Sequence, residues 1–306
     1  MPNDNLLSIT PIDGRYASQT KFLANYFSEF ALIKTRVEVE VEWLLLLSKN
    51  KSLQFIPEVS KTQQTKIFNI FKEFSTQDAK QVKTIEKKTN HDVKAVELFI
   101  VEKLKRLKLH KLCEFVHFCC TSEDINNLSY SLMLQRFLNT EFLPEANDLQ
   151  KNLNSLAKKY SKVSMLAFTH GQPASPTSLG KEFSNFSYRI KFHLDLIKSV
   201  KQKGKFNGAS GNYNAHVIAE KRVNWEVLSK KFVNSLGLDF ASHSTQIELK
   251  DAMAYQLANT HNLNNVLIDF AQDIWLLISK NYLKQNLKSG EVGSSTMPHK
   301  VNPIDF

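Results

Sequence analysis

The chain has 306 residues, 42% of them hydrophobic and 23% charged, which are ordinary values for a soluble globular protein. Forty Lys and Arg against 30 Asp and Glu give a formal charge of +10, which favours an anionic partner, either nucleic acid or a small phosphorylated substrate. Three cysteines exclude a disulfide framework, and no Cys or His cluster indicates a metal site. Because no apolar stretch suits a signal peptide or membrane span, we expect a cytoplasmic protein.

The chain uses Gly and Pro sparingly, and the long segments between them predict an all-α fold. Apolar residues recur at helical spacing in these segments, whereas no period-two alternation indicates a sheet. Polar clusters mark helix starts, with Asn90 or Asp92 as the expected N-cap of one helix. The predicted helices are 21–48, 61–74, one that begins near residue 92, one that begins in the cluster 121–124, 144–160, 177–203 and 246–285.

The predicted helices form two groups along the chain. Residues 1–110 are expected to form an N-terminal helical domain, and residues 111–306 a central bundle of long helices. The helix over 246–285 would be about 60 Å long at 1.5 Å per residue, which is too long for one small domain to cover. Because its second half is mostly apolar, we expect this helix to be buried in an oligomer.

Four polar interruptions between the helices are candidate functional positions. They lie around His91, Ser122 and His170 and in the closing segment 290–306. Breaks at the ends of neighbouring helices in a bundle can converge on one site. The first two interruptions could equally be helix caps with no further role. His170 is harder to explain in this way, because Gly171 permits unusual backbone angles and Pro173 fixes its own φ, which together shape the backbone around a titratable ring.

The closing segment has the composition of a shaped loop. It reads GEVGSSTMPHKVNPIDF, and its two glycines and two prolines exclude a regular helix or strand. Ser294, Lys300 and Asn302 place a hydroxyl, an ammonium and a carboxamide on this loop. Such loops carry chemistry when a rigid scaffold supports them.

Five motifs follow one another along the chain: PIDGRY at 11–16, TNHDVKAVE at 89–97, TSEDINN at 121–127, THGQPA at 169–174 and GSSTMPHKVNP at 293–303. Together they resemble the fumarase/aspartase superfamily. Within that superfamily the chain resembles the bacterial adenylosuccinate lyase family over essentially its whole length. The resemblance implies a long-helix bundle with an N-terminal helical domain, and it implies no metal or organic cofactor.

The resemblance also implies a reaction. Members of the superfamily break a C–N or C–O bond by β-elimination and release fumarate. Adenylosuccinate lyases convert adenylosuccinate to AMP, and the succinylated aminoimidazole carboxamide ribotide (SAICAR) to its amide (AICAR), in purine biosynthesis. They are homotetramers whose active sites combine residues of three subunits. We therefore expect small-molecule substrates and a homotetramer, with neither nucleic acid nor a membrane as partner.

Individual roles follow from the same resemblance. His170 is the expected general acid and Ser294 the expected general base, with Ser295 as the alternative base. Lys300 and Asn302 are expected to stabilise the negative charge that develops on the substrate carboxylate. The other expected site residues are Arg15 and Tyr16 at the substrate phosphate, His91, which also orients or charges the site, Asn90, Asp92, Thr121, Ser122 and Gln246.

The superfamily continues past the closing segment, so we expect residues 1–306 to lack a C-terminal part and to have little or no activity alone. Another fumarate-releasing lyase, such as argininosuccinate lyase, is the nearer alternative, although Arg15 and Tyr16 favour a phosphorylated substrate. A basic helical module that binds nucleic acid is the second, and it predicts salt-sensitive oligonucleotide binding.

Overall fold

The computed structural model describes residues 5–286, 296–297 and 301–304, and helices make up most of this part of the chain. They confirm the predicted all-α class. Short 3-10 turns occupy Asn5–Leu7, Lys21–Leu23 and His110–Phe115, and a π-helical turn occupies Leu138–Phe142. The α-helices are α1 (Ala17–Thr20), α2 (Ala24–Phe27), α3 (Glu29–Ser48), α4 (Lys61–Lys72), α5 (Thr76–Thr89), α6 (Asp92–Arg106), α7 (Ser122–Phe137), α8 (Leu143–Lys159), α9 (Leu179–Ser199), α10 (Asn214–Ala219), α11 (Trp225–Ser235) and α12 (Asp251–Ser279).

The chain divides into two compact units, and each unit combines two separate segments of the sequence. Unit 1 consists of Met1–Thr140 and Lys201–Met253. Unit 2 consists of Glu141–Val200 and Ala254–Phe306. The predicted division into an N-terminal domain and a long-helix bundle at residue 110 stays a prediction.

Unit 1 is built around α3, which is buried along most of its length. One side of α3, including Val37 and Leu44, packs into a core that it shares with α4, α5 and α6. On the other side, the Trp43 ring centroid lies 4.4 Å from that of Phe206 and 5.1 Å from that of Phe232. Because neighbours cover both of these sides, the apolar residues of α3 are not confined to one face. Each fully buried large side chain of this kind contributes about 1.5–3 kcal/mol to folding.

Unit 2 contains α8, α9 and most of α12. Helices α8 and α9 pack along each other, and Gln150 Nε2 of α8 donates a 3.0 Å hydrogen bond to Ser187 Oγ of α9. The rings of Phe186 in α9 and Phe270 in α12 meet edge to face with their centroids 5.1 Å apart. These contacts make α9 the helix that joins the other two.

Unit 2 also contains an antiparallel hairpin that the sequence did not indicate. Strand β1 (Ser164–Thr169) pairs with β2 (Gln172–Ser178), with an irregularity in the register between Leu166 and Phe168. Most of β2 is exposed, so neither face shows the alternation by which a strand is recognised. Its two prolines are tolerated because both strands of a two-stranded hairpin are edge strands. A second short pair, β3 (Lys203–Gly204) and β4 (Asp239–Phe240), is parallel and belongs to unit 1.

The longest helix is shorter than predicted. The prediction of 246–285 is wrong at both ends, because α12 covers Asp251–Ser279 and is therefore about 44 Å long. Lys250 and Asn281, just outside it, have positive φ angles of 63° and 60°, which a right-handed helix cannot contain. No helix in the described part of the chain is both long and apolar enough to cross a membrane.

Two other predicted helices also have different limits. The helix predicted over 21–48 is broken at Ser28, whose side chain accepts a 3.1 Å hydrogen bond from the N–H of Ala31 and so begins α3. The helix predicted over 177–203 begins only after Ser178, because the preceding residues pair in β2.

Candidate active site

The helix that follows the TNHD motif is capped by His91, and the prediction of Asn90 or Asp92 as its N-cap is wrong. Nδ1 of His91 accepts a 3.2 Å hydrogen bond from the N–H of Lys94, while Asn90 ends α5 in the left-handed conformation with a φ of 52°. Nδ1 must offer its lone pair to this hydrogen bond, so the proton of the neutral ring lies on Nε2. The half-exposed ring thus offers an Nε2–H donor to a ligand.

A buried arginine connects the start of α6 with α7. Nη2 of Arg36 lies 2.7 Å from Oδ2 of Asp92, and its Nε donates a 2.9 Å hydrogen bond to Oδ1 of Asn126. Partial burial raises the pKa of Asp92, but Arg36 and the backbone N–H of Val93 outweigh burial, so the pKa is below its usual value. Asp92 is therefore held as a carboxylate next to His91.

The start of α7 lies where the sequence predicted it. Thr121 is the N-cap, and Oδ2 of Asp124 accepts its backbone N–H at 2.9 Å, so the start is closed by a residue three positions along the helix. Ser122 is the first helical residue. The free N–H groups of a first turn carry partial positive charge and suit an anionic ligand. Thr121 and Ser122 thus lie at a helix end that can bind a carboxylate or phosphate.

Gln246, which only the family resemblance indicated, lies beside the start of α7. Its Nε2 is 3.4 Å from Oγ1 of Thr121. Lys250, four residues further on, pairs with Glu123 of α7 at 3.2 Å and holds the same segment in place. Together with the Arg36 connection, these contacts link six of the predicted site residues within unit 1, namely Asn90, His91, Asp92, Thr121, Ser122 and Gln246.

Arg15 and Tyr16 lie apart from this group in the N-terminal segment of unit 1. Both side chains are exposed, and the Arg15 guanidinium carbon is 5.8 Å from the centroid of the Tyr16 ring. Within the described residues, no hydrogen bond or ion pair joins either side chain to the other predicted site residues. Their predicted contact with a phosphate stays a prediction.

In unit 2, His170 occupies the turn of the β1–β2 hairpin. His170 and Gly171 are the two turn residues, and their φ angles of 53° and 74° are both positive, as a type I′ hairpin turn requires. A Cβ on Gly171 would meet no atom within 4 Å, so conformation and not crowding favours glycine there. The ring of His170 is exposed and can be reached by a reacting molecule.

The hairpin and the described end of the chain both contact the C-terminal end of α12. Nζ of Lys280 lies 3.2 Å from the ring centroid of Phe168 in β1. Nε1 of Trp275 donates a 3.1 Å hydrogen bond to the carbonyl of Pro303. The strand that leads to His170 is thus held by Lys280, which directly follows α12, and the segment that contains Asn302 is held by Trp275 near the end of the same helix.

The remaining predicted catalytic residues fall in the closing segment. Ser294, Ser295 and Lys300 lie outside the described residues, so their roles stay predictions. Asn302 is described, and its backbone carbonyl accepts a 2.9 Å hydrogen bond from the N–H of Ile304. Among the residues that the structure describes, no group of three or more His, Cys, Asp and Glu side chains could hold a metal ion.

Sequence reasoning missed two charged residues of α3, Arg36 and Glu40, whose hydrogen bonds position segments that carry predicted site residues. Besides Arg36, Glu40 is buried, and it accepts hydrogen bonds from the backbone N–H of His117 at 3.1 Å and lies 2.5 Å from His117 Nδ1. This pair fixes the segment that leads into Thr121. No local signal separated them from the other charged residues of α3, because Lys34, Glu38 and Glu42 belong to the same helix and are not buried.

Solved structures with the same fold were found by structural comparison. A fumarate lyase from Mesorhizobium sp. BNC1 aligns with a TM-score of 0.67 and 17% identity over 84% of this chain and 57% of that chain. A beta-carboxy-cis,cis-muconate cycloisomerase from Acinetobacter calcoaceticus aligns with a TM-score of 0.66 and 18% identity over 86% of this chain and 59% of that chain. At these identities the likeness shows the fold alone.

Sequence comparisons then identify the family. A family model described as Lyase matches residues 14–306. The chain is 47% identical to the adenylosuccinate lyase of Buchnera aphidicola subsp. Schizaphis graminum and 44% identical to that of Escherichia coli K12, over 100% of this chain and 67% of each relative. The chain belongs to this lyase family, and the predicted resemblance is confirmed. It spans about two thirds of the length of these relatives.

Proposed function

We propose that the protein is an adenylosuccinate lyase, a carbon–nitrogen lyase that releases fumarate from adenylosuccinate to give AMP and from SAICAR to give AICAR. The observation that carries the proposal is the match to adenylosuccinate lyases along the whole chain. The three cysteines are free thiols, which suits the cytoplasm, where such enzymes of purine biosynthesis would act.

The linked residues of unit 1 suit the binding of an anionic substrate. Adenylosuccinate carries one phosphate and two succinyl carboxylates. His91 offers an Nε2–H donor, and Thr121 and Ser122 offer hydroxyls at a positively polarised helix end. Arg15 has an exposed guanidinium beside the Tyr16 ring, in the chain segment whose motif resembles the phosphate-binding position of the family. We therefore assign substrate binding to this unit.

The elimination itself requires a base, an acid and charge stabilisation. Ser294 would remove the proton from the carbon next to a carboxylate, and the electron pair would delocalise into that carboxylate as the aci form. Lys300 and Asn302 would stabilise the resulting charge. His170 would protonate the nitrogen as the C–N bond breaks, which leaves fumarate and the amine product. An exposed histidine at a hairpin turn is suited to this role, since its ring can exchange protons with solvent between turnovers.

We further propose that the protein assembles as a homotetramer that pools residues of several subunits. Several large apolar side chains of α12 are more than half exposed in the single chain, for example Ile268 at 56% and Trp275 at 52%. A long helix with apolar residues outside its buried face favours cover by further copies of the chain. Size measurement of the purified protein tests this, and a stable monomer at micromolar concentration would contradict it.

An assay with defined substrates tests the proposed reaction. The complete protein should release fumarate from adenylosuccinate and from SAICAR, and should leave argininosuccinate intact. Turnover of argininosuccinate in place of adenylosuccinate would assign the chain to another lyase of the superfamily. Salt-sensitive binding of oligonucleotides without any fumarate release would favour the nucleic-acid module. The same assay on residues 1–306 tests the expectation that this part alone has little or no activity.

A further inference from the structure

One face of α7 holds an extended segment of the chain through side-chain to backbone hydrogen bonds. Ser131 Oγ donates to the carbonyl of Lys203 at 2.7 Å. One turn nearer the start of the helix, the Asn127 amide accepts from the N–H of Lys205 at 2.9 Å and donates to its carbonyl at 3.1 Å. Asn127 and Ser131 are both buried. Because they bond alternate residues of the segment 203–208, a slip of the segment by one residue would break every contact.

Asp124 continues this face at the start of α7. Its Oδ1 accepts from the N–H of Asn207 and its Oδ2 from the N–H of Gly208, both at 3.1 Å, in addition to the N–H of Thr121. Nζ of Lys205 lies 2.8 Å from Oδ1, and both side chains of this ion pair are 0% exposed. We call Asp124, Asn127 and Ser131 the polar stripe of α7. The stripe ends at Asp124, which contacts Thr121 directly.

The segment 203–208 also contacts the chain next to Gln246, which is another predicted substrate-binding residue. Nδ2 of Asn207 donates a 2.8 Å hydrogen bond to Oγ of Ser244, two residues before Gln246. Gly211 lies so close to the same strand of chain that a Cβ would come within 2.4 Å of the Ser244 carbonyl. A continuous series of hydrogen bonds therefore joins Thr121 to Asp124, Asp124 to Asn207, and Asn207 to Ser244. Gln246, two residues after Ser244, lies beside Thr121 and closes the series.

We infer that the Asp124–Lys205 end of the polar stripe is a positioning device, which fixes Thr121, Ser122 and Gln246 at the separation that the substrate requires. The inference rests on the proposed function. A buried ion pair is a costly way to gain stability, because an apolar pair of similar volume often serves as well. It does specify one register, since a carboxylate that accepts four hydrogen bonds cannot be satisfied in a shifted arrangement.

The polar stripe provides its own matched series of variants. Asp124→Asn and Ser131→Ala both remove contacts between α7 and the segment 203–208, at the near and the far end from Thr121. For Asp124→Asn we expect the KM for adenylosuccinate to rise at least about tenfold with kcat changed by less than about threefold, as for a lost charged hydrogen bond. For Ser131→Ala we expect a lower melting temperature with an unchanged KM.

A milder variant decides the question if Asp124→Asn does not fold. Ser244→Ala removes the contact with Asn207 and a 3.3 Å hydrogen bond from Ser244 Oγ to the adjacent carbonyl of Thr245. We expect it to raise KM by about two- to tenfold without lowering the melting temperature. If Asp124→Asn folds and its KM is unchanged, the inference is overturned. If Asp124→Asn does not fold, an unchanged KM in Ser244→Ala overturns it. So does an equal rise of KM in Ser131→Ala.

A second measurement separates this inference from the proposed function. Hydrogen exchange of the backbone amides at 121–124, without substrate, should be faster in Asp124→Asn than in Ser131→Ala at equal global stability. If the unaltered protein releases no fumarate, the proposed function fails, and the exchange comparison alone decides whether the stripe fixes the helix start. Equal exchange in the two variants would overturn the inference in either case.

Discussion

The two units hold their predicted site residues in opposite ways. In unit 1, Thr121 and Ser122 begin a helix whose first turn is fixed by the fully buried Asp124 and Lys205. In unit 2, His170 lies exposed at a two-residue turn. Charges that position a backbone are buried and paired, whereas the group expected to move a proton remains accessible. The comparison suggests that binding groups are rigid in this protein and that the reacting group depends on its surroundings.

The largest expected effect comes from His170. His170→Asn keeps a residue type that tolerates the left-handed conformation, and we expect kcat to fall about 10²–10⁴-fold because the general acid is lost. Since the ring is exposed, the free energy of unfolding should change by less than about 0.5 kcal/mol. Fumarate release and urea unfolding measure the two quantities. His110→Asn, at another exposed histidine, is the control and should affect neither. Normal turnover by His170→Asn would remove the catalytic role of the hairpin.

A buried histidine of unit 1, His216, should affect stability and not catalysis. His216 is 0% exposed, its ring packs against Tyr213 and Trp225, and neither ring nitrogen has a hydrogen-bond partner in the part of the chain that the structure describes. Burial lowers the pKa of His216 to about 4, with Asp124 opposing and Lys205 reinforcing the effect. Between about pH 6.5 and 4, His216 therefore binds a proton in the unfolded chain but stays neutral in the folded protein.

This difference makes stability depend on pH. As pH falls from about 6.5 towards 4, the unfolded state binds a proton at His216 that the folded state does not, so the free energy of unfolding should fall by up to about 3 kcal/mol. His216→Met should lose this part of the pH dependence and should not affect KM. Urea unfolding at several pH values measures it, with His170→Asn as the control that keeps the slope. The same slope in His216→Met would show that other groups cause it.

What the sequence could predict depended on how local the cause was. The start of α7 was predictable because Thr121 and Asp124, three residues apart, close it between themselves. The Arg36–Asp92 pair was not, because its residues are 56 positions apart and only the packing of α3 against α6 brings them together. The β1–β2 hairpin was missed for another reason, since strands exposed on both faces lack an apolar pattern.

The identity of the site residues depended on the motifs more than on physical pattern. Gln246 has no local feature that marks it, and only the resemblance indicated it, yet its side chain lies beside Thr121. The cap at His91 shows the reverse case, because standard propensities favour Asn90 and Asp92 and the histidine replaced them. Residues that break a local rule are expected where function constrains the sequence. A histidine cap is such an exception.

The smallest of these effects should distinguish two arginines that both pair with carboxylates in contacts of α3. Arg136 of α7 makes a two-bond pair with Glu38 of α3, at 2.7 and 2.8 Å, and its side chain is 43% exposed. Arg36 of α3 is 5% exposed and contacts both Asp92 and Asn126. Arg136→Met should therefore cost less than about 1 kcal/mol, as solvent-exposed pairs do, without a change in KM.

Arg36→Met should cost about 1–3 kcal/mol, because the half-buried Asn126 carbonyl loses its donor. The cost stays below that of a fully buried ion pair, since Asp92 is 49% exposed and water can solvate it once the guanidinium is gone. KM for adenylosuccinate should rise about tenfold, because the starts of α6 and α7 are no longer tied together. Urea unfolding and KM measured on both variants test the contrast. Equal effects of the two substitutions on KM would show that the connection between α6 and α7 does not serve substrate binding. Among the buried contacts of unit 1, only those of Asp124 would then remain as candidates for positioning the substrate-binding residues.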